Sequence, residues 1–107
     1  MKIAVAALGE SLEAEVSGQF ARCPYFLIVD SRTHQCEAVS NPAASAAGGA
    51  GPAAVRELAD RGVTVALAGR VGPNAERALE AAGIRFMLAT GQASDAVQRC
   101  LQGQEAT

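Results

Sequence analysis

The sequence predicts a three-layer α/β domain: a mixed five-stranded sheet, order 3-2-1-4-5, with strand 2 antiparallel to the rest and helices on both faces. Three observations lead there. Five short runs are rich in branched or apolar residues, as buried strands are. The second and third runs are separated only by a polar turn, Ser31-Arg32-Thr33-His34, which makes them an antiparallel hairpin. From Pro52 onward, helical spacing alternates with strand-like runs, and that alternation demands parallel strands joined by right-handed crossovers. With 107 residues, half of them apolar, the chain suits one domain, 1–107.

Ile3 to Leu8 is the first buried strand. Gly9 to Arg22 begins polar and acidic (Glu10, Glu13, Glu15) and is anchored by Val16 and Phe20. It reads as a long loop, and such loops in compact domains are often functional. The competing local reading is a short helix over Leu12 to Val16. Pro24 sets up Tyr25 to Asp30, a run rich enough in aromatic and branched residues for a central strand. Gln35 to Ser40 returns as its partner, with His34 a solvated residue at the hairpin tip. Asn41 to Pro52 is a low-complexity Ala/Gly/Ser segment without the bulk to pack. It predicts a mobile loop, either a plain linker or a lid that orders over a ligand.

Pro52 opens a helix in which Val55, Leu58 and Ala59 repeat at i, i+3, i+4, and Gly62 stops it. Val63 to Ala68 is the fourth strand. It ends in the turn Gly69-Arg70-Val71-Gly72, and Pro73 suits the first position of the next helix, where its missing N–H would have had no partner. That helix turns Ala75, Ala78, Leu79 and Ala82 inward and ends at Gly83. Ile84 to Ala89 is the last strand. Ser94 caps a third helix, with Asp95 favoured in its first turn by the helix dipole. Its apolar stripe is Ala96, Val97, Cys100 and Leu101, and residues 103–107 form a fraying tail.

Charge and composition exclude several classes. The net charge is −2 and the basic residues are scattered, so the footprint of a nucleic-acid binder is missing. No apolar run approaches a membrane span. The N-terminal apolar run is too short for a signal peptide, which makes the cytoplasm the expected location. Three cysteines in such a chain, with no Cys-x-x-Cys pair, argue against a disulfide framework or a self-contained zinc site.

Strands 1, 3, 4 and 5 share a direction, so the loops that follow them emerge at one edge. These loops are Gly9–Arg22, Asn41–Gly51, Gly69–Gly72 and Thr90–Gln92. Open α/β sheets bind ligands at that carboxyl edge. Here it offers glycines, helix starts and two arginines, Arg22 and Arg70. It offers no histidine, no Ser-His-Asp set, no Walker ending and no Gly-x-Gly-x-x-Gly. It is a place to hold an anion rather than to run a reaction. The candidate wall residues are Arg22, Gly49, Ala50 and Gly51 from the first two loops. The strand–turn–helix unit adds Gly69, Arg70, Gly72 and Asn74. Cys23 lies beside Arg22, whose charge would lower its pKa. It reads either as a metal ligand or as a small apolar filler. Cys36 and Cys100 read as packing.

Val16-Ser17-Gly18-Gln19-Phe20-Ala21-Arg22-Cys23-Pro24-Tyr25-Phe26 resembles the Val-Ser-x-Arg-Phe-Gly-Arg-Ala-Pro-Tyr-Phe run of the dinitrogenase iron–molybdenum cofactor-binding family. Two more blocks agree: Asn41-Pro42 with Gly49-Ala50-Gly51 and Leu58 to Val63, then Ala68-Gly69 with Gly72-Pro73-Asn74-Ala75 and Ala82-Gly83-Ile84. The resemblance covers nearly the whole chain in the right order. It implies a ribonuclease-H-like fold and a small carrier or accessory protein for a metal–sulfur cluster. The family includes nitrogenase cofactor carriers and a small orange protein of sulfate reducers, which holds an anionic molybdenum–copper sulfide. Gln19 and Ala21 stand where the family run often has Arg and Gly, and Cys23 replaces a usual Ala.

The expected function is therefore non-enzymatic: transient binding of an anionic metal–sulfur cluster (Mo/Fe or Mo/Cu), exchanged with a donor or acceptor protein. Two alternatives stand beside it. One is a regulatory module that binds a partner without metal. The other is a metal-dependent phosphoryl-transfer enzyme using Glu10 or Glu13.

Overall fold

Side chains alternate across a strand, and that alternation sorts this protein into layers. In β1 (Lys2–Ala7), Ala4 and Ala6 point to one core while Ile3, Val5 and Ala7 point to another. The computed structural model describes residues 1–45 and 48–106. The remaining elements are β2 (Tyr25–Asp30), β3 (Cys36–Ser40), α1 (Ala50–Asp60), β4 (Val63–Ala68), α2 (Pro73–Ala82), β5 (Arg85–Leu88) and α3 (Ala93–Ala106). The sheet order is β3-β2-β1-β4-β5, as the alternation of elements predicts. β2 runs antiparallel to β1 and β3, while β4 runs parallel to β1 and β5.

One core lies between the sheet and the helices α1 and α2. Ala4, Ala6, Ala66 and Ala68 form its floor, and Leu58 and Leu79 descend onto them. Small floor residues let the helices approach closely, which compensates for the scarcity of aromatic bulk. Phe20 inserts from the long loop and packs against Phe26 in a tilted pair, with ring centroids 5.3 Å apart. The second core, under α3, is built from Ile3, Val5, Leu27, Val65, Val97 and Cys100.

The long loop carries no helix over Leu12 to Val16. It is pinned across the carboxyl edge instead, because its backbone finds partners in three other segments. Ser17 N–H donates to the Ala6 carbonyl at 2.7 Å, Val16 N–H to Gly91 at 2.8 Å, and Gly69 N–H to Ser17 at 2.9 Å. At the opposite edge, the Asp30 carboxylate accepts the Arg32 N–H at 2.8 Å and closes the hairpin, with His34 exposed at φ 64°.

Several boundaries differ from the sequence expectation. α1 starts at Ala50, two residues before Pro52, because Gly49 adopts φ 70° and turns the chain into the helix early. Ala59 and Ala82, expected inside, are exposed. α3 starts at Ala93, so Ser94 lies within its first turn and does not cap it; its N–H donates to Leu12 at 2.9 Å. α3 extends to Ala106, beyond the predicted apolar stripe that ends at Leu101. Cys36, expected to pack, is exposed, because it belongs to the edge strand β3. Ala46 and Ala47 of the expected mobile segment, and Thr107 of the expected tail, lie outside the described residues. No helix among the described residues is long and apolar enough to cross a membrane.

Candidate functional site: a cradle between two helix starts

α1 and α2 begin side by side at the carboxyl edge. A Cβ built on Gly51 would lie 3.0 Å from the Ala75 nitrogen and 3.1 Å from its Cα and Cβ. Only a residue without a side chain lets the two helix starts come this close. Neither helix has a side-chain cap: the N-cap positions are Gly49 and Gly72. Pro52 and Pro73 occupy first-turn positions and carry no N–H. The first-turn N–H groups of Ala50, Gly51, Asn74 and Ala75 therefore have no partner within their own helices. Two positive dipole ends point the same way from adjacent positions, which is the arrangement that attracts an anion.

A cleft of about 350 Å³ opens over these helix starts, with Arg22, Gly49, Gly51, Gly72 and Asn74 in its wall. A second cleft of about 240 Å³ adjoins it, lined by Gln19, Phe20 and Arg70. Ala21, Arg22 and Gly72 border both, so the two lie side by side. Arg22 reaches over the cleft and donates to the Ala44 carbonyl at 3.4 Å. Arg70 is exposed, and its carbonyl accepts the Phe20 N–H at 3.0 Å, which ties the strand–turn–helix unit to the long loop. The Asn74 side-chain oxygen accepts Arg77 at 2.7 Å, so Asn74 offers the cleft its backbone N–H rather than that oxygen.

The structure thus brings together Arg22, Gly49, Ala50, Gly51, Arg70, Gly72 and Asn74. Gly69 lies behind the wall. A Cβ there would meet the Gly18 Cα at 2.9 Å, so this glycine serves the crossing of two loops.

Of the two readings of Cys23, its surroundings favour the filler. It is fully buried in the core beneath α1 and α2 and shows no surface to a ligand in the cleft. Burial pushes its thiol up to about 12, against the lowering expected from neighbouring Arg22. It stands here as a packed thiol, the small-filler reading of the two.

Two residues outside the predicted site set also matter here. Gln19 lines the second cleft. Asn41 is buried, and its side chain ties the end of the long loop to the start of the Ala/Gly segment. An asparagine between a strand-like run and Pro42, a residue type that bonds its own backbone two residues on, was the available signal.

The carboxylates are dispersed. Glu10 neighbours Tyr25, whose hydroxyl it holds above its ordinary pKa by charge repulsion of the phenolate and by a hydrogen bond. The Glu13 carbonyl accepts Gln92 at 3.2 Å. Asp30 closes the hairpin at the far edge. Among the described residues, no group of three or more His, Cys, Asp or Glu side chains is placed to hold a metal ion.

Fold and cleft together define a small α/β domain that carries an arginine-flanked cradle of helix N-termini at its carboxyl edge. The chain belongs to the dinitrogenase iron-molybdenum cofactor family, whose model matches residues 1–103. It is similar to the apo form of the orange protein from Desulfovibrio gigas, at 42% identity and TM-score 0.92, over 96% of this chain and 88% of that one. It is also similar to a putative NifB protein from Thermotoga, at 35% identity and TM-score 0.83, over 95% of this chain and 88% of the other. A comparison with curated proteins returned no match.

Proposed function

We propose that this protein is a non-enzymatic cytoplasmic carrier for an anionic metal–sulfur cluster, of the iron–molybdenum-cofactor or molybdenum–copper sulfide class. The cluster is cargo, received from a donor protein and passed to an acceptor. The observation that carries this reading is the contact between two uncapped helix starts at Gly51 and Ala75, flanked by Arg22 and Arg70.

The donor set suits such a cargo. Sulfido ligands on a cluster's outer face accept hydrogen bonds and carry negative charge, so backbone N–H groups and guanidinium groups can hold them without a bond to the metal. The cradle supplies those donors. Cys23 is assigned to packing, and retention rests on charge and hydrogen bonds. Such binding is reversible and weakened by salt, as a carrier that must release its cargo requires.

The test is anaerobic purification with metal analysis and a visible spectrum, followed by titration of the apo-protein with tetrathiomolybdate, with and without copper. A carrier develops a saturable, perturbed charge-transfer spectrum. Absence of molybdenum, iron and copper, together with an unperturbed thiomolybdate spectrum, would overturn the reading.

A further inference from the structure

We infer that Asn41 is the positioning residue of the anion cradle: it fixes the Arg22 segment and the turn at Ala43 and Ala44 in one geometry, so that Arg22 faces the helix starts. This rests on the carrier reading above. Asn41 is buried, and its amide is fully engaged. Its Nδ2 donates to the carbonyls of Ala21 and Cys23, both at 2.9 Å, thus gripping the backbone on either side of Arg22. The same nitrogen approaches the Cys23 sulfur at 3.8 Å. Its Oδ1 accepts the Ala43 N–H at 3.0 Å, and its carbonyl accepts the Ala44 N–H at 3.2 Å. Those two bonds shape the turn that presents the Ala44 carbonyl, which in turn accepts the Arg22 guanidinium.

The consequence is specific to asparagine. The position needs two donors directed at carbonyls and one acceptor directed at an N–H, on a side chain short enough to stay buried. Aspartate keeps the shape and the acceptor but turns two attractive contacts with carbonyls into repulsions. Serine keeps an acceptor near the Ala43 N–H but cannot bridge to Ala21 and Cys23. Either change leaves Arg22 present and charged while freeing the segment that aims it.

The experiment is tetrathiomolybdate titration of the full chain, with thermal unfolding recorded for every variant. The variants are Asn41→Asp, Asn41→Ser, Arg22→Ala, Arg70→Ala, and the doubles of Asn41→Asp with each arginine change. The inference expects Asn41→Asp and Asn41→Ser, still folded at the assay temperature, to bind about tenfold more weakly, which is about 1.4 kcal/mol. It also expects Asn41→Asp to add nothing in the Arg22→Ala background and its full effect in the Arg70→Ala background. A purely structural role would weaken binding equally in both. Equal additivity in the two backgrounds overturns the inference, as does unchanged affinity in a folded variant. Loss of the folded state in both Asn41 variants overturns it too, because Asn41 is then a fold determinant. If the wild-type protein itself does not perturb the thiomolybdate spectrum, the carrier reading fails first, and the Asn41 inference fails with it.

Discussion

Gly51→Ala gives the sharpest test of the cradle. The added methyl would sit 3.0–3.1 Å from three Ala75 atoms, two of them backbone, which cannot rotate away. The two helices must separate by a few tenths of an ångström. Forced overpacking of this kind typically costs about 1–3 kcal/mol. Alanine's better helix propensity returns up to about 1 kcal/mol. A net loss of about 1 kcal/mol remains, which for a domain of this size lowers the melting temperature by roughly 4–8 °C. Separation also splays the two dipole ends that share the anion, so tetrathiomolybdate affinity should fall as well. Gly72→Ala is the internal control: a Cβ there meets nothing within 4 Å, and φ is −73°. It should leave stability unchanged to within about 0.5 kcal/mol. Circular-dichroism melts and parallel titrations read both quantities. A Gly51→Ala protein that melts at or above the wild-type temperature and binds as tightly would refute the close-approach reasoning.

Arg70→Ala, at an exposed side chain, should leave the melt unchanged to within about 0.5 kcal/mol while weakening thiomolybdate binding several-fold, and the deficit should shrink at high salt. Gly69→Ala should destabilise by about 1–3 kcal/mol, because its Cβ would press on the Gly18 Cα at 2.9 Å; a melt that does not move would show the two loops free to part. Alkylation at neutral pH should modify the exposed Cys36 first, with Cys23 and Cys100 reacting only as the protein unfolds, as peptide mapping would reveal. The Cys23 thiol also sets an alkaline limit. Its pKa rises from 9.0 to about 12 on folding, so the folded state holds a proton that the unfolded chain loses above pH 9. Stability from this thiol is complete below pH 9 and declines as pH climbs towards 12. Cys23→Ala should flatten that part of the stability–pH curve, and an unchanged curve would remove the assignment.

Much of the site was legible because topology is written locally. The hairpin turn and the later strand–helix alternation fix strand directions, and directions alone place the four loops at one edge. That is why Arg22, Gly49–Gly51, Arg70, Gly72 and Asn74 group together from the sequence alone. Gly69 was grouped with them for the same reason, yet it faces the Gly18 backbone, since a glycine signals close approach without saying to what. Cys23 stayed open between ligand and filler because its sequence neighbour is a cation, whereas its environment is the core.

By itself, the sequence determined the element order, the strand directions and the family, since periodicity, turn chemistry and short-range motifs are all carried by neighbouring residues. The tertiary structure alone decided which side chains meet. It set Gly51 against Ala75, sealed Cys23 under two helices, and put the Asn41 amide between the carbonyls that flank Arg22. Those contacts join residues far apart along the chain. Burial and alignment at a few ångströms depend on how whole layers pack, and no local pattern encodes them.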